Sequence, residues 1–102
     1  MVGPAGMGDD KGLAGFQAVV RGRVQGVGFR YFTKREAELL GLSGHVRNCI
    51  DGSVEVVAEG RRRSLDLFLA RLREGSRGGF VSHVEVEWQA ATGEYERFDL
   101  HF

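Results

Sequence analysis

Apolar and polar residues alternate along four segments of the chain, which is the period of a strand with one buried face. These segments cover residues 16–21, 45–50, 53–59 and 80–88. A fifth, shorter strand is predicted over residues 95–102, where the chain carries Phe98, Leu100 and Phe102. The pattern therefore predicts a protein in which a sheet supplies most of the regular structure.

Two other segments repeat their apolar positions with helical spacing. The first covers residues 29–40 and carries Phe29, Thr33, Ala37 and Leu40, followed by Gly41 where a left-handed cap would end a helix. The second follows Ser64, a good N-cap residue, and its apolar stripe is Leu65, Phe68, Leu69 and Leu72. We expect one helix in each segment.

The pair Asp51-Gly52 lies between the second and third strands. Such a pair between alternating segments is typical of a hairpin with a two-residue turn, because both residues tolerate positive φ. The element order is therefore β-α-β-β-α-β with a short extra strand. It predicts an α+β fold of the ferredoxin-like split βαβ type, an antiparallel sheet with both helices on one face. This fold alone does not indicate a function.

Residues 1–15 contain five glycines and the only proline, and they show no periodicity. We interpret them as a flexible tail, which leaves residues 16–102 as one domain. The whole chain has 102 residues, of which 16 are glycine, and 42% are hydrophobic. This composition is that of a globular protein and excludes a collagen-like or disordered chain.

Charge and cysteine content narrow the function classes. The chain has 14 basic and 14 acidic side chains, whereas a dedicated nucleic-acid binder usually carries surplus positive charge. Cys49 is the single cysteine, and no apolar segment is long enough to span a bilayer. We therefore expect a cytoplasmic protein that binds neither nucleic acid nor a membrane. We also predict that it is a monomer.

The loop between the first strand and the first helix has the composition of an anion site. The N–H groups that begin a helix have no helical partners, and the helix dipole adds partial positive charge there. Gly26 and Gly28 would let an anion approach the backbone, and Arg30 adds a planar cation. The alternative is that both glycines only make the turn and that Arg30 is solvated.

Residues 22–32, GRVQGVGFRYF, closely resemble the signature of the acylphosphatases, small enzymes that hydrolyse carboxyl-phosphate mixed anhydrides. A second family segment follows at the expected place, GHVRN at residues 44–48 leading into DGSVE at 51–55. The resemblance covers residues 16–102. Two motifs in the correct order are far more specific than either one alone.

The resemblance implies a metal-independent acylphosphatase without a cofactor, acting on a small acyl phosphate. Arg30 would clamp the phosphate and Asn48 would orient the attacking water. The backbone that cradles the phosphate would be that of Gln25, Gly26, Val27, Gly28, Phe29 and Arg30. Neither the histidines nor Cys49 show a zinc-type spacing, and no carboxylate cluster suggests magnesium.

Other interpretations remain open at this point. His45 stands where the family often has an aromatic residue, and it could be a catalytic base or a partly exposed strand residue. Cys49 is expected to pack rather than react, and residues 61–63, three arginines, to be solvated. The same fold could serve as an RNA-binding or ligand-sensing module. It could also resemble the acylphosphatase-like domain of larger hydrogenase-maturation proteins, although we expect a free-standing enzyme.

Overall fold

The computed structural model describes residues 12–102. The strands are β1 (Leu13–Arg23), β2 (Ser43–Asn48), β3 (Val54–Arg61), β4 (Phe80–Gln89) and β5 (Phe98–Leu100), and the helices are α1 (Phe29–Leu39) and α2 (Arg62–Glu74). The predicted order with its short fifth strand is confirmed. Part of the predicted tail belongs to the fold, because Leu13, Ala14 and Gly15 pair with β3. Residues 1–11 of that tail lie outside the described residues.

The five strands form one sheet in the order β4-β1-β3-β2-β5. The pairs of β1 with β3, β1 with β4 and β2 with β3 are antiparallel, whereas β5 pairs parallel to β2. The sheet is thus mixed, where a wholly antiparallel one was expected. The reason is that β4 and β5 lie on opposite edges and run in opposite directions, which aligns β5 with β2.

The core lies between one face of the sheet and the two helices. Phe16, Ala18 and Val20 are fully buried and pair with Ala58, Val56 and Val54 of β3. The ring of Phe68 in α2 lies 6.1 Å from that of Phe16 and 5.9 Å from that of Phe98. The opposite face of the sheet carries polar side chains such as Gln17 and Arg21, so both helices cover the same face, as predicted.

The predicted alternation along β4 breaks near its start. A bulge lies opposite Arg21 and Gly22: Arg21 pairs with His83 and Gly22 pairs with Val81. Val81 therefore packs against the core, while Phe80 is 62% exposed. Gly22 permits this arrangement, because its φ is 132° and a Cβ there would lie 2.1 Å from the carbonyl oxygen of Phe80.

The end of α1 agrees with the sequence prediction, whereas the start of α2 differs from it. Gly41 has φ 71°, and Leu42 N–H donates to the carbonyl of Ala37, so α1 ends in a Schellman motif as expected. The predicted N-cap Ser64 of α2 is wrong, because that helix already begins at Arg62. Arg62 is also not simply solvated: its guanidinium carbon lies 3.6 Å from the centre of the Trp88 ring.

The hairpin between β2 and β3 is confirmed, but its loop is longer than two residues. β2 ends at Asn48 and β3 begins at Val54, and in this loop only Gly52 has a positive φ. Cys49 N–H donates to the Ser53 carbonyl over 2.9 Å, and Gly52 N–H donates to the Cys49 carbonyl over 3.1 Å. These bonds fold the loop back on itself beside Asn48.

Neither helix of residues 12–102 has the length and apolar character needed to cross a bilayer.

Candidate active site

The loop that joins β1 to α1 exposes the N-terminal end of that helix. Gly26 and Gly28 have φ 73° and 77°, a conformation that glycine adopts without strain. Gly28 is the N-cap residue and offers no side chain to the first turn. Because they begin the helix, the N–H groups of Phe29, Arg30 and Tyr31 have no helical acceptor, and they lie at the positive end of the helix dipole.

Gln25 holds this loop against the β2–β3 hairpin. Its Nε2 donates to the carbonyl oxygens of Cys49 and Ser53, each over 2.8 Å. Both N–H bonds of the side-chain amide are thus used by the hairpin. Gln25 positions the loop through its side chain, and only its backbone is available to the predicted phosphate cradle.

Asp51 stiffens the loop of the β2–β3 hairpin through hydrogen bonds to Ser53 in the same loop and to Arg21 of β1. One carboxylate oxygen accepts from the hydroxyl and the backbone N–H of Ser53, over 2.6 and 3.0 Å, and the other accepts from Arg21 over 3.2 Å. The side-chain and backbone hydrogen bonds from Ser53, followed by Arg21, lower the pKa of Asp51 to about 2. The loop that carries the Gln25 acceptors is thus held by a carboxylate.

We expect the Asp51 carboxyl to titrate at about pH 2 in the folded protein, as followed by its ¹³C chemical shift. Its ordinary pKa is about 3.9, so the stabilising contribution of the charged form is present above that value and is lost as the pH falls toward 2. Ser53→Ala should move the midpoint upward, and Ser64→Ala, on α2, should leave it unchanged. A midpoint near the ordinary value in the unsubstituted protein would contradict this assignment.

Arg30, the second residue of α1, extends its side chain toward the end of the chain. Its Nη1 donates to the main-chain carbonyl of His101 over 2.8 Å, and the guanidinium carbon lies 4.9 Å from the centre of the Phe102 ring. The contact with His101 uses one of the five N–H bonds of the guanidinium. The arrangement orients the planar cation without neutralising it.

Asn48, the last residue of β2, approaches the same place from the sheet. Its Oδ1 is buried and has no hydrogen-bond partner among the described residues. An unpartnered buried oxygen costs free energy, so such an atom indicates a place where a further donor is expected. A bound water or a substrate group would supply that donor.

Arg30 and Asn48 line a single cavity of about 220 Å³. The other lining residues are Val24, Gly26, Gly28, Phe29 and Tyr31. A Cβ at Gly26 or Gly28 would have no protein atom within 4 Å, so the space beside both backbones is open. Larger cavities, of about 350 and 520 Å³, lie elsewhere, but they combine neither a helix N-terminus nor an unpartnered buried amide.

Most of the site residues expected from the sequence meet in this cavity. Gly26, Gly28, Phe29, Arg30 and Asn48 line it, whereas the side chains of Gln25 and Val27 do not. Sequence reasoning missed Tyr31, whose place beside Arg30 at the start of a helix was the available signal. It also missed the role of His101, for which no local signal exists, because 71 positions separate it from Arg30.

His45 and Cys49 do not contribute to the cavity lining. His45 is partly buried, with Nε2 3.6 Å from Oε1 of Glu55. Partial burial would raise the pKa of Glu55, but the hydrogen bond and charge of Arg47, with a smaller effect of His45, lower it. Residues 12–102 contain no group of three or more His, Cys, Asp or Glu side chains that could hold a metal ion.

A family model, curated relatives and solved structures all match this chain to the same family. Residues 16–100 match the acylphosphatase family model. The acylphosphatase of Thermus thermophilus is 53% identical over 76 residues, which cover 74% of this chain and 86% of the relative. The crystal structure of acylphosphatase from Bacillus subtilis superposes with a TM-score of 0.85 at 37% identity, and covers 87% of this chain and 99% of that one.

The same fold also occurs within a much longer chain. The crystal structure of T. kodakarensis HypF matches with a TM-score of 0.76 at 29% identity, covering 87% of this chain but only 12% of that one. The curated relative from Thermus thermophilus, in contrast, is matched over most of its own length. With the family model matched along nearly all of its described residues, the chain belongs to the acylphosphatase family of enzymes.

Proposed function

We propose that this protein hydrolyses small acyl phosphates to a carboxylate and inorganic phosphate without a metal ion. The observation that carries this proposal is the meeting of Arg30 and Asn48 at one cavity beside the open N-terminus of α1. The cation and the backbone N–H donors come from α1 and the loop before it, and the unpartnered amide oxygen comes from β2. Membership of the acylphosphatase family supports the same reaction.

The phosphate group binds between the helix N-terminus and Arg30. Its oxygens accept from the backbone N–H groups of the loop and first turn, where Gly26 and Gly28 leave the approach open. The Arg30 guanidinium, oriented by the His101 carbonyl, supplies two parallel donors suited to a phosphate. These groups stabilise the charge that develops on the equatorial oxygens in the transition state.

Asn48 orients the water that attacks phosphorus. Its Oδ1 accepts one hydrogen of the water, which satisfies the buried oxygen and directs a lone pair toward the phosphate. The water oxygen forms a bond to phosphorus as the bond from phosphorus to the acyl oxygen breaks. The carboxylate leaves with the electron pair, and the second proton of the water passes to the phosphate.

This reaction needs little acid catalysis from the protein. A carboxylate is a stable leaving group, so positioning and charge stabilisation can provide most of the rate enhancement. Asn48 is a poor base, and the substrate phosphate is therefore the proton acceptor. Acetyl, benzoyl and carbamoyl groups all remain candidate acyl groups, because the proposed contacts hold only the phosphate. Monomeric state and cytoplasmic location stay predictions.

We expect phosphate release from acetyl phosphate and benzoyl phosphate to proceed at the same rate with and without EDTA. A phosphate assay corrected for spontaneous hydrolysis measures this directly. Activity that disappears in EDTA and returns with Mg²⁺ would contradict the metal-independent mechanism. If carbamoyl phosphate is assayed as well, the absence of release above the spontaneous rate from all three substrates would contradict the proposed function itself.

A further inference from the structure

The carbonyl that orients Arg30 belongs to a residue whose side chain is part of a ring stack. The imidazole rings of His45 and His101 lie with their centroids 4.7 Å apart and their planes at 11°. The Tyr95 ring meets His45 edge-on at 5.9 Å. His101 thus has one side of its ring covered by a residue of β2.

His45 is itself held firmly in the sheet. Its side chain is only 17% exposed, and its Nε2 lies 3.6 Å from Oε1 of Glu55 on β3. Glu55 also accepts from Arg47 over 2.6 Å and from Gln17 over 2.8 Å. The Glu55 carboxylate, which Arg47 and Gln17 hold in place, and the Tyr95 ring therefore set the position of the His45 ring.

His101, in contrast, lies beyond the last residue of β5 and is exposed. Its N–H donates to the Val46 carbonyl over 2.8 Å, and its own carbonyl accepts from Arg30 over the same distance. The following residue, Phe102, is 94% exposed. Within residues 12–102, the stack on His45 is the contact that holds the His101 side chain against the sheet.

We propose that His45 is a positioning residue for Arg30 and that it acts through its stack with His101. The ring and the carbonyl of His101 belong to one residue, so fixing the ring restricts where the carbonyl points. That carbonyl in turn orients the guanidinium. The proposal rests on the proposed function only in assigning a phosphate to Arg30.

We expect His45→Ala to raise both the dissociation constant for inorganic phosphate and the KM for acyl phosphate by about three- to tenfold, the range that corresponds to losing one aromatic pair. His45→Phe retains a flat ring at this position and should stay within about twofold of the unsubstituted protein. His83→Ala is the matched control, because His83 lies equally close to a carboxylate, 3.6 Å from Glu85, but is exposed on β4.

His101→Ala tests the other half of the pair and is tolerated by folding, because the residue is exposed. It should weaken phosphate binding as much as His45→Ala does, and the double variant should be no worse than either one. In the background of Arg30→Ala, His45→Ala should cause no further loss of kcat/KM. Such non-additivity identifies residues that act as one unit.

Three results would overturn the inference. The first is unchanged phosphate binding in both His45→Ala and His101→Ala, and the second is a His45→Phe variant that binds phosphate as weakly as His45→Ala. The third is a loss of kcat/KM on adding His45→Ala to Arg30→Ala that equals the loss His45→Ala causes alone. The last result would mean that His45 acts through another group of β2, such as Asn48. Phosphate binding separates this inference from the proposed function. If the protein binds phosphate in a His45-dependent manner but hydrolyses none of the acyl phosphates, only the proposed reaction fails.

Discussion

Arg30→Ala should lower kcat/KM for acetyl phosphate by about a hundredfold or more, the usual cost of removing one charge-stabilising donor from an active site. The guanidinium contributes to binding the phosphate and to stabilising charge in the transition state, so KM should rise and kcat should fall together. Inorganic phosphate, as a competitive inhibitor, should bind more weakly for the same reason. Steady-state kinetics with inhibition by phosphate measure all three quantities.

Folding should be little affected by this substitution. The Arg30 side chain contacts the His101 carbonyl and the Phe102 ring near the surface, and neither belongs to the core between the sheet and the helices. We expect the free energy of unfolding in urea to change by no more than about 1 kcal/mol. A lost activity with an intact fold would assign the effect to the site.

Two variants control this experiment. Arg35→Ala removes the same type of side chain from an exposed position of the same helix and should leave kcat/KM unchanged. Arg30→Lys keeps the charge but loses the planar pair of donors, so it should recover only part of the activity. Full activity in Arg30→Ala would remove Arg30 from the proposed mechanism.

Asn48→Ala should lower kcat by about a hundredfold while the affinity for inorganic phosphate changes little. The proposed task of Asn48 is to place the water, and misplacement of a reacting group by about 1 Å can cost that much. The phosphate contacts lie on the loop and Arg30, which this substitution does not touch. The separation of kcat from phosphate affinity distinguishes Asn48 from Arg30.

The same variant should be about as stable as the unsubstituted protein or more stable. The Asn48 Oδ1 is buried without a partner among the described residues, so removing it takes away an unsatisfied polar atom. Urea unfolding monitored by circular dichroism measures this. An enzyme that becomes more stable as it loses turnover would show that the unsatisfied oxygen is kept for the reaction.

Gln89→Ala, which removes an exposed amide at the end of β4, is the control for Asn48→Ala and should have no effect. Asn48→Asp tests the electrostatics, because a carboxylate at this position would repel the phosphate and should weaken its binding at neutral pH. Retention of full kcat in Asn48→Ala would show that another group orients the water.

Local sequence patterns were sufficient for much of the fold. The alternation of Phe16, Ala18 and Val20 follows from the pleat of a strand, and the Schellman motif at Gly41 needs only a residue that accepts positive φ. Patterns failed where a distant partner decides the geometry. The bulge opposite Gly22 shifts the pairing register at the start of β4 and leaves Phe80 exposed. The alternation of apolar and polar residues along β4 gives no sign of this bulge.

For the candidate site too, the sequence indicated the residues, whereas the tertiary structure decided which of them meet. Its cation and its glycines lie within one short segment, so composition and the family resemblance led to Gly26, Gly28 and Arg30, and the second motif led to Asn48. That Arg30 and Asn48 line one cavity depends on β1 and β2 each pairing with β3. Equally, the anchoring of Gln25 on the Cys49 and Ser53 carbonyls joins residues 24 and 28 positions apart.

The sequence by itself determined which side chains of β1 and α2 are buried, where the helices begin and end to within a few residues, and which residue types are available for phosphate chemistry. These properties depend on periodicity and on local backbone preferences, which neighbouring residues set. Only the tertiary structure decided that β5 runs parallel to β2, that the His101 carbonyl orients Arg30, and that His45 lies stacked behind it. Each of these contacts joins residues far apart in the chain, and its geometry exists only once the sheet is assembled around the common core.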